Sequence, residues 1–281
     1  MSRTVNQYTY PDLNNGVHTT VVSGSKRIRL STYDKSGSIL IYVGGHTKYC
    51  IYAEVKKSTN GKFQEDGYLH KIRFDELCSL DNKFIRGADT QFILKFLLTY
   101  ITKTYSGVKK LAFNDASSRI CNNGVHINLA AMQFIFTGKT WYQKHYSAYL
   151  EGRELENFTS YYKEYTHRKQ ITDWDTLTNT IHNFSTTNIP IEILQKKYND
   201  TSTWESFFGY IEKEIEIGNF CEFIYPWLDT FMNIYFKHMI IGFQYMMPVK
   251  GYDINYELQT YQSGGKRFTR KRRYIESRDE R

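Results

Sequence analysis

The chain has 281 residues, 41% of them apolar and 23% charged, which suits a globular protein with one large core or two modest ones. This excludes a collagen-like or wholly disordered chain. The formal charge is +8, but Lys266–Arg281 carries eight Lys or Arg against three Asp or Glu, leaving only +3 on the other 265 residues. The basicity is therefore that of a tail and not of a fold, and any polyanionic partner is a partner of the tail.

In chain order, residues 1–25 are polar and turn-rich, an amino-terminal arm or an edge strand. Strands are expected over Arg27–Tyr33, Ser38–Val43, Lys48–Lys56 and Tyr68–Phe74, punctuated by Ser36-Gly37, Gly44-Gly45 and Asn60-Gly61 as short antiparallel connections. Alternation places Tyr49, Ile51, Ala53 and Val55 on one face. The period then lengthens: Phe92, Ile93, Phe96, Leu97, Tyr100 and Ile101 form a helical stripe within Ala88–Tyr105. Val108–Phe113 reads as a short strand, Ile127–Phe136 as a helix, and Lys139–Leu150 as its resumption after Gly138.

Beyond Leu150 the pattern is helical. Asp173 caps a helix to His182, Ser202-Thr203-Trp204-Glu205 has capping-box spacing before a helix to Ile217, and Phe220–Met247 is a further helical block ended by Pro248. The apolar run from Trp227 to Met247 contains Asp229, Asn233, Lys237, His238 and Gln244, so a buried helix is expected there and no transmembrane segment. No secretory signal is visible in Met1–Tyr10. Cys50, Cys78, Cys121 and Cys221 are widely separated and lack a CxxC pair, which predicts reduced thiols in a cytoplasmic protein.

Three constellations bear on chemistry. Phe84-Ile85-Arg86-Gly87-Ala88-Asp89-Thr90 precedes the stripe helix, and free amides at a helix start beside an arginine suit a phosphate; as a plain surface turn, the same run has Asp89 as N-cap. Thr137-Gly138-Lys139-Thr140-Trp141-Tyr142-Gln143-Lys144 ends like a P-loop, but Gln133 stands where the first glycine belongs and a helix precedes it, which excludes triphosphate binding. The tail Lys266-Arg267-Phe268-Thr269-Arg270-Lys271-Arg272-Arg273 clusters cations able to neutralise phosphates, so nucleic acid or anionic lipid is its expected partner. No metal-ligand spacing occurs among the histidines and cysteines.

Strands, an Arg-Gly turn, a helix, a strand and a final helix ending in Trp-Tyr-Gln-Lys resemble the GNAT acetyltransferase superfamily over residues 26–150. The resemblance implies an α+β fold with a mostly antiparallel sheet, and acetyl-CoA as cofactor of an N-acetyltransferase. It places Ile85, Arg86, Gly87 and Ala88 at the pyrophosphate turn, with Tyr142 as the acid that protonates the leaving thiolate. Glu54, on a predicted strand, is the candidate base. The sequence departs from the family pattern where Arg86 replaces a glycine and Tyr146-Ser147 replaces the usual Gly-Phe.

A helical region (151–262) and a disordered basic tail (263–281) complete the expected organisation. The Gly-Gly-Lys-Arg end and the Gly-Lys-Thr-Trp-Tyr run, with the AT-biased composition, resemble in style proteins of nucleocytoplasmic large DNA viruses. That resemblance implies a virion or host-cytoplasm location and protein partners in a virion. Two alternatives stand beside the enzyme. One is a non-catalytic virion structural or interaction protein, consistent with 24 Tyr and 18 Phe. The other is a nucleic-acid-binding accessory protein acting through Lys266, Arg267, Arg270, Lys271, Arg272 and Arg273.

Overall fold

A computed structural model describes residues 9–11, 16–72, 76–81, 83–85, 87–121, 124, 126–167, 173–180, 190–214, 224–228 and 242–260. The chain is α+β and divides into two compact units, one of residues 1–113 with 248–281 and one of residues 114–247. The unit boundaries thus fall at 113/114 and 247/248, and the segment 114–150 belongs with the helices that follow it.

The first unit is built on β1 (Gly16–Ser23), β2 (Lys26–Lys35), β3 (Ser38–Gly44), β4 (Tyr49–Lys57), β5 (Phe63–Ile72), β6 (Lys110–Asn114) and β11 (Glu257–Thr260), with helix α1 (Ala88–Thr104) between β5 and β6. Strand order is β11-β1-β2-β3-β4-β5-β6. The ladders from β11 to β5 are antiparallel, whereas β6 pairs parallel to β5. A parallel neighbour requires a crossover, and α1 supplies it. The expected arm is in part β1, a strand paired along its length with β2.

Alternation buries Ile28, Leu30, Ile41, Val43, Ile51, Ala53 and Val55 together with Ile93, Leu94, Phe96, Leu97 and Ile101 of α1, which packs against β3. Burial of this apolar set is the dominant favourable term in folding the unit. The segment before β11 is clasped to α1: Thr102 Oγ1 donates to Val249 O (2.8 Å), Thr99 Oγ1 to Tyr252 O (3.2 Å), and Lys103 pairs with Asp253 (2.8 Å).

Tyr49 does not follow Ile51, Ala53 and Val55. The β3–β4 register slips between Val43 and Gly44, so that Val43 faces Ile51 while Gly44 faces Tyr49. The extra residue, Cys50, reverses the alternation. Tyr49 therefore lies among Tyr42 (4.9 Å between ring centroids), Tyr52 (6.3 Å) and Tyr10 (6.1 Å) on the opposite face.

The cysteines also depart from expectation. Cys50 on β4 and Cys78 in the 3-10 turn Glu76–Cys78 form a disulfide, with Cα atoms 5.6 Å apart. Cys121 is disulfide-bonded as well, and no described cysteine is free. Wide spacing in sequence had argued for thiols, but contact between β4 and the turn is a tertiary fact that spacing does not carry.

The second unit contains β7 (Ser118–Ile120) hairpinned to β8 (His126–Asn128), then α2 (Leu129–Thr137), α3 (Trp141–Tyr146), β9 (Tyr149–Leu150), α4 (Gly152–His167), α5 (Trp174–Thr180), α6 (Ile191–Asp200), α7 (Trp204–Glu214) and β10 (Gln244–Pro248). Its core is aromatic: Phe134, Trp204, Phe207, Phe208 and Trp227 are at most 1% exposed. The capping residues act as their chemistry predicts. Asn128 caps α2, Thr140 and Gln143 form a capping box on α3, and Asp173 accepts from Thr176 N (2.8 Å).

On α7 the cap is Thr203, which accepts from Ser206 N (3.1 Å), one residue later than the expected Ser202 box. The expected helix over Phe220–Met247 fails at its end. Gln244–Pro248 is a strand, with Tyr245 and Met246 paired antiparallel to Leu150 and Tyr149. Apolar residues alone do not separate a buried strand from a buried helix. Among the described residues no helix is long and apolar enough to cross a membrane.

Candidate functional site

The turn before α1 is closed on itself. Gly87 is the N-cap residue, at φ 90°, a conformation that favours glycine. Asp89, in the first turn, reaches back: its Oδ2 accepts from Ile85 N (2.6 Å), while its own amide donates to Ile85 O (3.0 Å). Gly87 N donates to Thr90 Oγ1 (3.4 Å). The second Asp89 oxygen pairs with Lys26 of β2. An anion is favoured at a helix start, and the chain supplies its own. Ile85 is 67% exposed, Gly87 and Ala88 are exposed, and Arg86 lies outside the described residues.

Glu54 sits on the tyrosine face of β4. Its Oε2 is 3.0 Å from His70 Nε2 of β5. Burial by itself would raise the Glu54 carboxyl, but hydrogen bonds from Ser38 and His70, with the charges of His70 and Lys56, outweigh it and hold the group below its ordinary range. The imidazole is oriented by this carboxylate and is itself part of a column of rings. Tyr42 stacks on Tyr52 (4.6 Å, 4°), Tyr52 on His70 (4.8 Å, 24°) and His70 beside Tyr68 (6.0 Å, 22°), with Lys56 Nζ 4.6 Å from the Tyr68 centroid.

A base held by a carboxylate and half open to solvent can accept a proton. His70 was missed in the sequence because Tyr68–Phe74 gave no sign of which strand would lie beside Glu54. The ladder pairs Glu54 with Tyr68, and alternation along β5 puts His70, two residues further on, on the same face.

Tyr142 lies in the second unit, on α3. It is 7% exposed, and burial pushes its hydroxyl far up, with Asp115 and Tyr146 adding to the effect. A tyrosine so shifted is a poor proton donor to a thiolate, whose conjugate acid is much stronger. Its neighbour Asp115 is 3% exposed. Asp115 Oδ1 accepts from Ser117 N (3.1 Å) and Ser117 Oγ (2.6 Å), while Oδ2 has no hydrogen-bond partner among the described residues. Burial raises this carboxyl against the lowering effect of the Ser117 bonds.

The Gly-Lys-Thr run beside it joins two helices: Gly138 closes α2 at φ 68° and Thr140 opens α3. The tail residues Lys266, Arg267, Arg270, Lys271, Arg272 and Arg273 lie outside the described residues. Comparison with family models, curated proteins and solved structures finds no match to this chain.

Proposed function

We propose that the chain is a non-catalytic interaction protein built on an acetyltransferase-like scaffold, at work in a virion or a comparable assembly, with acetyl-CoA binding lost. The scaffold half of this reading is supported by topology. A β5–α1–β6 crossover joins parallel strands that pair over Asp66–Tyr68 and Lys110–Ala112, while β5 continues to Ile72 and β6 to Asn114.

The observation that carries the loss is the Asp89 contact. Two of the amides that a pyrophosphate would use, Ile85 N and Gly87 N, are committed to Asp89 and Thr90. A phosphate arriving there meets a carboxylate held by Lys26, and like charges at such range repel. The buried Tyr142 adds to this, since its hydroxyl titrates far above the ordinary range. With the cofactor lost, a virion is favoured over a reducing cytoplasm by the disulfides.

Glu54 and His70 favour a second reading, acyl transfer with His70 as the base that takes a proton from an amine. Calorimetric titration of the full chain with acetyl-CoA separates the two. The interaction reading predicts no binding heat at millimolar ligand. Saturable binding, together with turnover that His70→Ala abolishes, would establish the acyltransferase instead.

A further inference from the structure

The disulfides bear on where this protein is finished and what holds the approach to α1. Cys50 and Cys78 are 1% and 0% exposed, so their bridge is part of the interior and not a surface thiol pair. Cys50 is the extra residue of the β4 bulge, outside the Val43–Ile51 and Gly44–Tyr49 pairs. The bulge thus takes Cys50 out of the ladder, and it is this residue that carries the bridge.

The segment so held is tied down around the bridge. Leu80 N donates to Arg27 O of β2 (2.8 Å), and Gly45 packs directly beneath the Leu77 carbonyl, leaving no room for a side chain. With Cys121 also bonded, every described cysteine is oxidised. Catalytic and sensing disulfides are exposed and strained toward reduction, whereas buried ones are structural and belong to oxidising compartments.

We propose that the chain is completed and works in a thiol-oxidising compartment, where the Cys50–Cys78 bridge is the brace that holds Glu76–Leu80 on the sheet. The bond forms by exchange with a protein disulfide donor. One cysteine thiolate attacks a donor sulfur, and the second displaces it from the mixed disulfide. The two thiols together lose two protons and two electrons, and the donor leaves as a dithiol.

Peptide mapping without reductant reads the bond directly. The full chain is exported to a bacterial periplasm or retained in a reducing cytosol, unfolded in the presence of an alkylating agent, and digested with trypsin. Residues 49–56 and 74–83 are expected as a linked pair from the periplasm and as separate alkylated peptides from the cytosol. A fully linked pair from the reducing cytosol would overturn the compartment claim, as would alkylation of both cysteines in the periplasmic protein.

For the brace, wild-type chain refolded in reductant and the Cys50→Ala/Cys78→Ala variant are compared with the oxidised protein. The variant is expected to melt roughly 5–10 °C lower, and the reduced chain, which also loses the Cys121 bond, at least as far. Trypsin should also cut at Lys83 at least about tenfold faster in both. If the reduced wild-type chain keeps the oxidised midpoint and cleavage rate, the bridge is no brace, whatever the variant does.

Discussion

Glu54 is a half-buried carboxylate and Asp115 a buried one, and their surroundings move them in opposite directions. Burial opposes charge at each. At Glu54 the Ser38 and His70 hydrogen bonds and nearby positive charge win, so the folded pKa lies below the unfolded value of 4.5. At Asp115 the Ser117 bonds do not overcome desolvation, so the folded pKa lies above 3.8. By linkage, Glu54 contributes stability that is present above its unfolded pKa and lost as the pH falls through its folded one. Asp115 carries a cost that grows as the pH rises from its unfolded pKa through its folded one. The Glu54→Gln variant should lose about 1 kcal/mol at pH 7 and show a flatter acid limb below about pH 4.5 in urea unfolding. An acid limb parallel to that of the wild type would mean that Glu54 is held by neither Ser38 nor His70.

At the scale of elements, strands β2, β3 and β4 and helix α1 were legible because alternation and a spacing of three and four are written in residue type alone. The bulge at Cys50 was not. It follows from how β3 and β4 pair, and it decides both the face of Tyr49 and the disulfide. Strand β10 was hidden for a related reason, since Tyr245 and Met247 are fully buried in a run that is apolar on both sides. The Gly44-Gly45 pair was expected as a turn, and packing gives the second glycine a further role. A Cβ at Gly45 would overlap the Leu77 carbonyl and come within 3.0 Å of Ser79 O, both backbone atoms with nowhere to go. Gly45→Ala is therefore expected to cost about 2–4 kcal/mol, measured as a lowered urea midpoint with an unchanged slope. A variant within about 0.5 kcal/mol of wild type would show that the 3-10 turn is free to shift.

For the whole molecule, an α+β chain with a mostly antiparallel sheet was readable from the order of periods, because strands and helices segregate along the sequence. The candidate site was less so. The sequence located the turn at Ile85–Ala88 and offered Asp89 as its N-cap, whereas Gly87 holds that position and Asp89, in the first turn, folds back onto Ile85 N. Residue types cannot distinguish a helix start waiting for an anion from one that already has one. Tyr142 belongs to the unit of residues 114–247, and Glu54 and the turn to the unit of residues 1–113 with 248–281. A fold by itself leaves activity to the site.

The amides of Ile85 and Gly87 report on that site directly. In 15N-labelled chain titrated with acetyl-CoA to millimolar concentration, both resonances should stay in place, and Ile85 should move only on Asp89→Ala substitution, which removes its acceptor. A saturable shift of both amides in the wild-type chain would show that the cofactor displaces Asp89, and would contradict a scaffold that has given up CoA.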